Sequence, residues 1–173
     1  HPPSPFLPMK TLYLMRHAKS NWNFDGLSDQ ERPLNNRGRT DAPNMGQALA
    51  ARNIQLNLLV SSPAVRALST AALVAKELNY PPERIHVIDG IYEADLDRLA
   101  DIVLGLPDEA ATVLLVGHNP TITETVNYFS PSAIHEMVTA AVVCLRFQTE
   151  QWAEASRQNA ELYFVDSPKN HED

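Results

Sequence analysis

Two histidines of this chain stand directly behind short apolar runs. Arg16-His17 follows Thr11–Met15, and His118 follows Thr112–Gly117. A third run, Leu58–Ser61, is followed by Ser62-Pro63 and then Arg66. Each run reads as a short buried strand, so all four residues fall where a strand gives way to a loop. Ligands of α/β proteins bind outside the carboxyl ends of the strands. Two imidazoles and two guanidiniums gathered there describe a site for an anionic group, phosphate first. Imidazole is a nucleophile that can carry a phosphoryl group as a short-lived phosphoramidate. Guanidinium is planar, permanently charged and able to bind two oxygens at once. Each charge-assisted hydrogen bond contributes on the order of 1.5–3 kcal/mol.

Departure of the leaving group from such a site needs a proton donor. Glu93, in Gly90-Ile-Tyr-Glu-Ala94, is the candidate general acid, and Asp95 is the nearest substitute. A carboxyl group in that role needs a raised pKa. Burial raises it and neighbouring charges also act on it, so the net sign stays open at this level. Read as metal ligands, His17 and His118 fare worse: the adjacent arginines repel a cation, and no carboxylate-histidine set accompanies them. No metal and no cofactor are expected. His86 and His135 carry no assigned role, and Cys144, inside an apolar run, reads as a small buried hydrophobe.

Stepping outward, the residues between these strands supply the helices that position them. Asn23 to Gly38 is polar and turn-rich. Pro43 suits the first turn of a helix continued by Met45, Leu49 and Ile54; a start near Asn35 would instead place Pro43 in the interior, where it should kink the helix. Ser62-Pro63 reads as cap and first turn of a helix marked by Val65, Leu68, Ala72, Ala75 and Leu78. Ile85–Ile88 is a short strand. Asp95 caps a helix through Leu104, and Asn119-Pro120 opens another to about Phe129. Thr112–Val116 is apolar throughout, as a central parallel strand should be. Ala140–Phe147 and Leu162–Val165 close the chain as strands with no clear helix between them, which leaves room for one to run antiparallel. This alternation predicts an α/β fold, a three-layer α/β/α sandwich around a mostly parallel sheet.

At 173 residues, 44% of them hydrophobic, the chain is long enough for one well-buried core. Its net charge of −7 argues against nucleic acid as a partner, so positive charge at the site must be local. A single cysteine excludes an internal disulfide. No apolar run approaches the roughly 18 residues that span a bilayer, so no membrane partner is expected. Residues 1–8 read as a proline-rich extension without the apolar core of a signal peptide, residues 9–166 as one domain, and residues 167–173 as a frayed polar tail. The compartment expected from these features is the cytoplasm.

The motifs Arg16-His17-Ala18-Lys19-Ser20, Arg32-Pro33-Leu34, Ser61-Ser62-Pro63-Ala64-Val65-Arg66-Ala67 and Val116-Gly117-His118-Asn119-Pro120 resemble, in order, those of the histidine phosphatase superfamily, also called phosphoglycerate-mutase-like. The resemblance runs from Thr11 to about Ala141. It implies that His17 is the phosphorylated nucleophile and that Arg16, Arg66 and His118 bind the phosphoryl group. It makes Asn23 a candidate phosphate ligand and matches Glu93, more loosely, to the region of the acid. The short chain and its Arg-His-Ala-Lys-Ser start look like the SixA branch, which acts on protein phosphohistidine. The expectation is a metal-independent phosphatase taking a phosphorylated substrate, with phosphohistidine on a protein as the leading one. A phosphatase of small phosphorylated metabolites is the alternative, and a non-catalytic phosphate- or phosphoprotein-binding domain is the reading from a different class.

Overall fold

The computed structural model describes residues 7–23 and 25–172; most of the proline-rich extension, residues 1–6, lies outside them. The strands are β1 (Lys10–Arg16), β2 (Leu58–Ser61), β3 (His86–Val87), β4 (Thr112–Gly117), β5 (Val142–Phe147) and β6 (Ala160–Asp166). They form one sheet in the order β3-β2-β4-β1-β5-β6. β3, β2, β4 and β1 pair in parallel. β5 pairs antiparallel with both β1 and β6, so it alone runs against the others.

Side chains alternate across a strand, and here that alternation feeds two cores. Leu12 and Leu14 of β1, with Val113 and Leu115 of β4, pack beneath α3 (Leu96–Leu104) and α4 (Thr121–Phe129). Tyr13, Met15, Leu114 and Val116 point the other way, against α1 (Asn36–Ala51) and α2 (Val65–Glu77). Helices thus cover both faces of the sheet, as the alternation of elements predicts. Cys144 is buried, and burial pushes its thiol up to about 11.

Of the two starts open to α1 the structure has the earlier, α2 begins later than expected, and α3 begins after Asp95 as expected. α1 begins at Asn36 rather than near Pro43, because the Asn35 side chain accepts from the Gly38 N–H at 2.8 Å and satisfies one of the free donors of the first turn. Pro43 lies inside the helix. α2 begins at Val65, two residues beyond Pro63: Ser62 Oγ accepts from the Ala64 N–H at 3.1 Å and closes a turn before the helix. The described part of the tail, residues 167–172, is docked, not frayed. Pro168 is buried in a short 3-10 turn, and the buried carboxylate of Asp166 receives Asn170 Nδ2 at 3.0 Å and His171 Nε2 at 2.7 Å. Glu172 pairs with Arg37 of α1.

Candidate active site

The carboxyl ends of β1, β2 and β4 converge on a cavity of about 600 Å³. Arg16, His17, Arg66, His118 and Glu93 all line it, so topology gathers five of the six residues singled out in the sequence. Asn23 does not join them. It is exposed, its backbone N–H is turned back to Asn21 Oδ1 at 2.8 Å, and it borders a separate depression beside Asn35 and Arg39. Asp95 is the N-cap of α3, accepting from the Arg98 N–H at 2.9 Å, and lies outside the lining. Glu93 stands in the wall with its side chain exposed rather than buried.

Two close approaches fix the loop that carries His17. Lys19 O accepts the Asn35 N–H at 3.0 Å, and a Cβ on Gly38 would fall 2.1 Å from that same oxygen. Only glycine lets the first turn of α1 lie so close to the loop behind β1. On the other side the N–H of Ala140, itself in the left-handed region at φ 63°, donates at 3.1 Å to the carbonyls of both Arg16 and His17.

His17 is 8% exposed, and its Nδ1 lies 2.7 Å from the carbonyl oxygen of Ala18. A carbonyl can only accept, so Nδ1 carries the proton and Nε2 keeps its lone pair. Burial pushes the ring down to about 3, with the charges of His118, Arg66 and Arg16 acting in the same direction. The imidazole is therefore neutral at pH 7. His118 lies beside it, ring centroids 5.2 Å apart, and burial holds it down to about 4. Its Nε2 is 2.7 Å from Ser62 Oγ. That hydroxyl oxygen accepts from Ala64 and still has a hydrogen to donate and a second lone pair, so it can partner Nε2 in either tautomer of the ring.

Arginine supplies the positive charge. Arg16 Nη1 is anchored at 2.9 Å to the Met137 carbonyl, which also receives Asn119 Nδ2 at 2.8 Å. Arg66, near the start of α2, donates through Nη1 and Nη2 to the backbone oxygen and carboxylate of Asp29, at 2.6 and 3.0 Å. The same carboxylate takes Arg32 Nη2 at 2.9 Å and the Tyr92 hydroxyl at 2.7 Å. Arg32 also reaches Ser20 Oγ and stacks on Trp22, its guanidinium carbon 3.5 Å from the indole centroid. Arg32, Asp29, Tyr92 and Trp22 are lining residues that sequence reasoning did not single out as site residues. Among the described residues, the buried side-chain nitrogens and oxygens without a hydrogen-bond partner are Nε of Arg16, Arg32 and Arg66 and Nδ1 of His118. All four belong to the walls of this one cavity. Guanidinium groups gathered in this way suit an oxyanion.

The sequence model of the histidine phosphatase superfamily (branch 1) matches residues 12–102. The chain belongs to that superfamily. Its structure superposes on a putative phosphohistidine phosphatase SixA from Nakamurella multipartita with a TM-score of 0.77, at 28% identity, covering 92% of this chain and 96% of that one. On the protein histidine phosphatase SixA complexed with tungstate the TM-score is 0.79, at 22% identity, covering 94% and 99%. An uncharacterised chloroplastic protein of Arabidopsis thaliana is 28% identical over 84% of this chain and 70% of its own length. The superfamily and its structural neighbours make this chain a phosphatase with the phosphoglycerate-mutase-like fold. Among the described residues no helix is long and apolar enough to cross a membrane, and no group of three or more His, Cys, Asp and Glu side chains is placed to share a metal ion.

Proposed function

We propose that residues 9–166 act as one histidine phosphatase domain that removes phosphoryl groups from phosphohistidine on a protein, through a phosphohistidine intermediate on His17 and without a metal. The observation that carries the chemistry is the hydrogen bond from His17 Nδ1 to the Ala18 carbonyl. It leaves a neutral, desolvated Nε2 beside a cluster of arginines, which is what in-line attack on phosphorus requires. Arg16, Arg66, Arg32 and His118 would hold the equatorial oxygens, where charge is spread in the transition state. Fixed guanidiniums there do the work that a divalent cation does in other phosphoryl-transfer sites. Water then hydrolyses the phosphoenzyme. To Glu93, in the cavity wall, we assign protonation of a poor leaving group; Asn23 would reach phosphate only if its loop turned inward.

Protein phosphohistidine is favoured over small metabolites by the likeness to SixA-type structures and by the exposed rim of the cavity, where Trp22 is 77% exposed. The protein is assayed in chelator against a phosphohistidine-bearing domain and a panel of phosphorylated metabolites. A much higher kcat/KM for the domain is the expected result. Strong preference for one metabolite would replace this reading with a metabolic one, and activity lost in chelator would remove the metal-free mechanism.

A further inference from the structure

Two residues of the cavity wall have no part in holding a phosphoryl group. Asp29 is a carboxylate among four cations, Arg16, Lys19, Arg32 and Arg66. Its Oδ2 receives Arg66 and Tyr92, while Oδ1 receives only Arg32, and the side chain is 51% exposed. A carboxylate oxygen accepts two hydrogen bonds, so Oδ1 keeps a free acceptor position. The hydrogen bond from Tyr92, then those from Arg32 and Arg66, hold Asp29 well below the usual carboxylate range. At neutral pH it accepts hydrogens and donates none. Trp22 is the second residue. Arg32 covers one face of its indole, and at 77% exposure the other face is open at the cavity mouth.

An alkyl phosphate uses neither feature, because its departing oxygen needs a proton that an ionised carboxylate withholds. A phosphorylated imidazole uses both: it is flat, and its nitrogen remote from phosphorus carries a hydrogen once protonated.

We infer that Asp29 and Trp22 form the leaving-group side of the site, selecting a planar heterocycle with an N–H donor, and thus the ring of phosphohistidine. This rests on the phosphatase reading above. His17 Nε2 forms a bond to phosphorus as the P–N bond of the substrate breaks. The electron pair of that bond returns to the ring nitrogen, and the ring, protonated on its other nitrogen, departs as neutral imidazole with that N–H still held by Asp29. No proton passes from the protein. By favouring the protonated ring, Asp29 extends turnover towards higher pH.

The test uses the full chain with N-phosphoimidazole and 4-nitrophenyl phosphate, both flat, of which only the first can offer an N–H. Asp29→Asn should lower the kcat/KM ratio of the first to the second about tenfold or more, as loss of one charge-assisted hydrogen bond would. It should also move the alkaline limb of the phosphoimidazole profile to lower pH. Damage to Arg32 or Arg66 alone would depress both substrates together and leave that limb in place. Asp29→Glu, which keeps the charge, should restore part of the ratio, and Trp22→Ala should raise KM several-fold for both flat substrates. An unchanged ratio and limb in Asp29→Asn overturn the carboxylate's role, and an unchanged KM in Trp22→Ala overturns the stacking. If wild type prefers the phosphohistidine domain while both variants behave as wild type, this inference fails and the functional reading stands. If wild type prefers a metabolite, the functional reading fails and takes the inference with it.

Discussion

At the scale of single residues, the neutrality of two imidazoles decides how this site responds to change. Replacing His17 by Ala removes the atom that attacks phosphorus. We expect turnover to fall on the order of 10³-fold or more, as when other covalent catalysts lose their nucleophile, with the circular dichroism spectrum unchanged. Wild-type activity in that variant would end the covalent mechanism. His17 and His118 are held down to about 3 and about 4, chiefly by burial. Neither ring titrates near neutrality, so kcat/KM for 4-nitrophenyl phosphate should show no acid limb from them until pH approaches 4. Stability carries the same signature with a worked sign. The unfolded rings take up protons below about 6.5 while the folded rings refuse them until about 4 or 3. Between those values the unfolded state binds more protons, so stability is full above about 6.5 and declines as pH falls. Thermal melts of wild type and of His118→Asn between pH 4 and 8 check this: the variant should lose less stability on acidification. Parallel curves would show that the burial of His118 does not govern its protonation.

At the scale of elements, the strands and the order of the helices are legible because hydrophobic periodicity survives in them. Val113 to Val116 are fully buried, and the run is apolar throughout. Arg16, His17, Arg66 and His118 are legible for the same reason, since each follows a strand that announces itself. Helix starts are less so. Pro43 and Pro63 carry strong local signals, yet α1 starts where Asn35 accepts from the Gly38 N–H, and α2 only after the turn in which Ser62 accepts from the Ala64 N–H. Arg32, Asp29 and Trp22 come from an irregular stretch without period, and what brings them to the site is a tertiary contact, the Val65 N–H donating to Gln30 O at 2.9 Å. Gly38 tests how firmly the first turn of α1 holds the nucleophile loop. A methyl group there meets the backbone oxygen of Lys19, which has no flexible end to yield. Gly38→Ala is expected to cost about 1–3 kcal/mol in stability, the usual range for overpacking, and to lower kcat through displacement of His17. Denaturant unfolding and steady-state kinetics read the two effects. An unaltered Cm would mean that α1 can shift away without consequence.

At the scale of the whole molecule, the segment that follows β6 docks against the first helix. β6 ends on the buried Asp166, whose carboxylate is hydrogen-bonded to the closing turn. Burial alone would raise its pKa; the hydrogen bonds from Asn170, His171 and the Ser167 N–H outweigh it and hold the group below the usual carboxylate range. Its contribution to stability is thus present above the ordinary carboxylate pKa and lost as pH falls through the depressed folded value. The turn packs Pro168 inside and ties Glu172 to Arg37 on the outer face of α1. None of these residues lines the catalytic cavity. Ending the chain after Asp166 strips that buried carboxylate of the Asn170, His171 and Ser167 donors. An unsatisfied buried acceptor costs about 1–3 kcal/mol, so the shortened protein should melt several degrees lower at pH 7 while its kcat on 4-nitrophenyl phosphate stays within about twofold. The two measurements separate the alternatives. An unchanged Tm would mean that water replaces the lost donors, whereas a lost kcat with an unchanged Tm would show that the tail reaches the site through α1 and the glycine contact at its first turn.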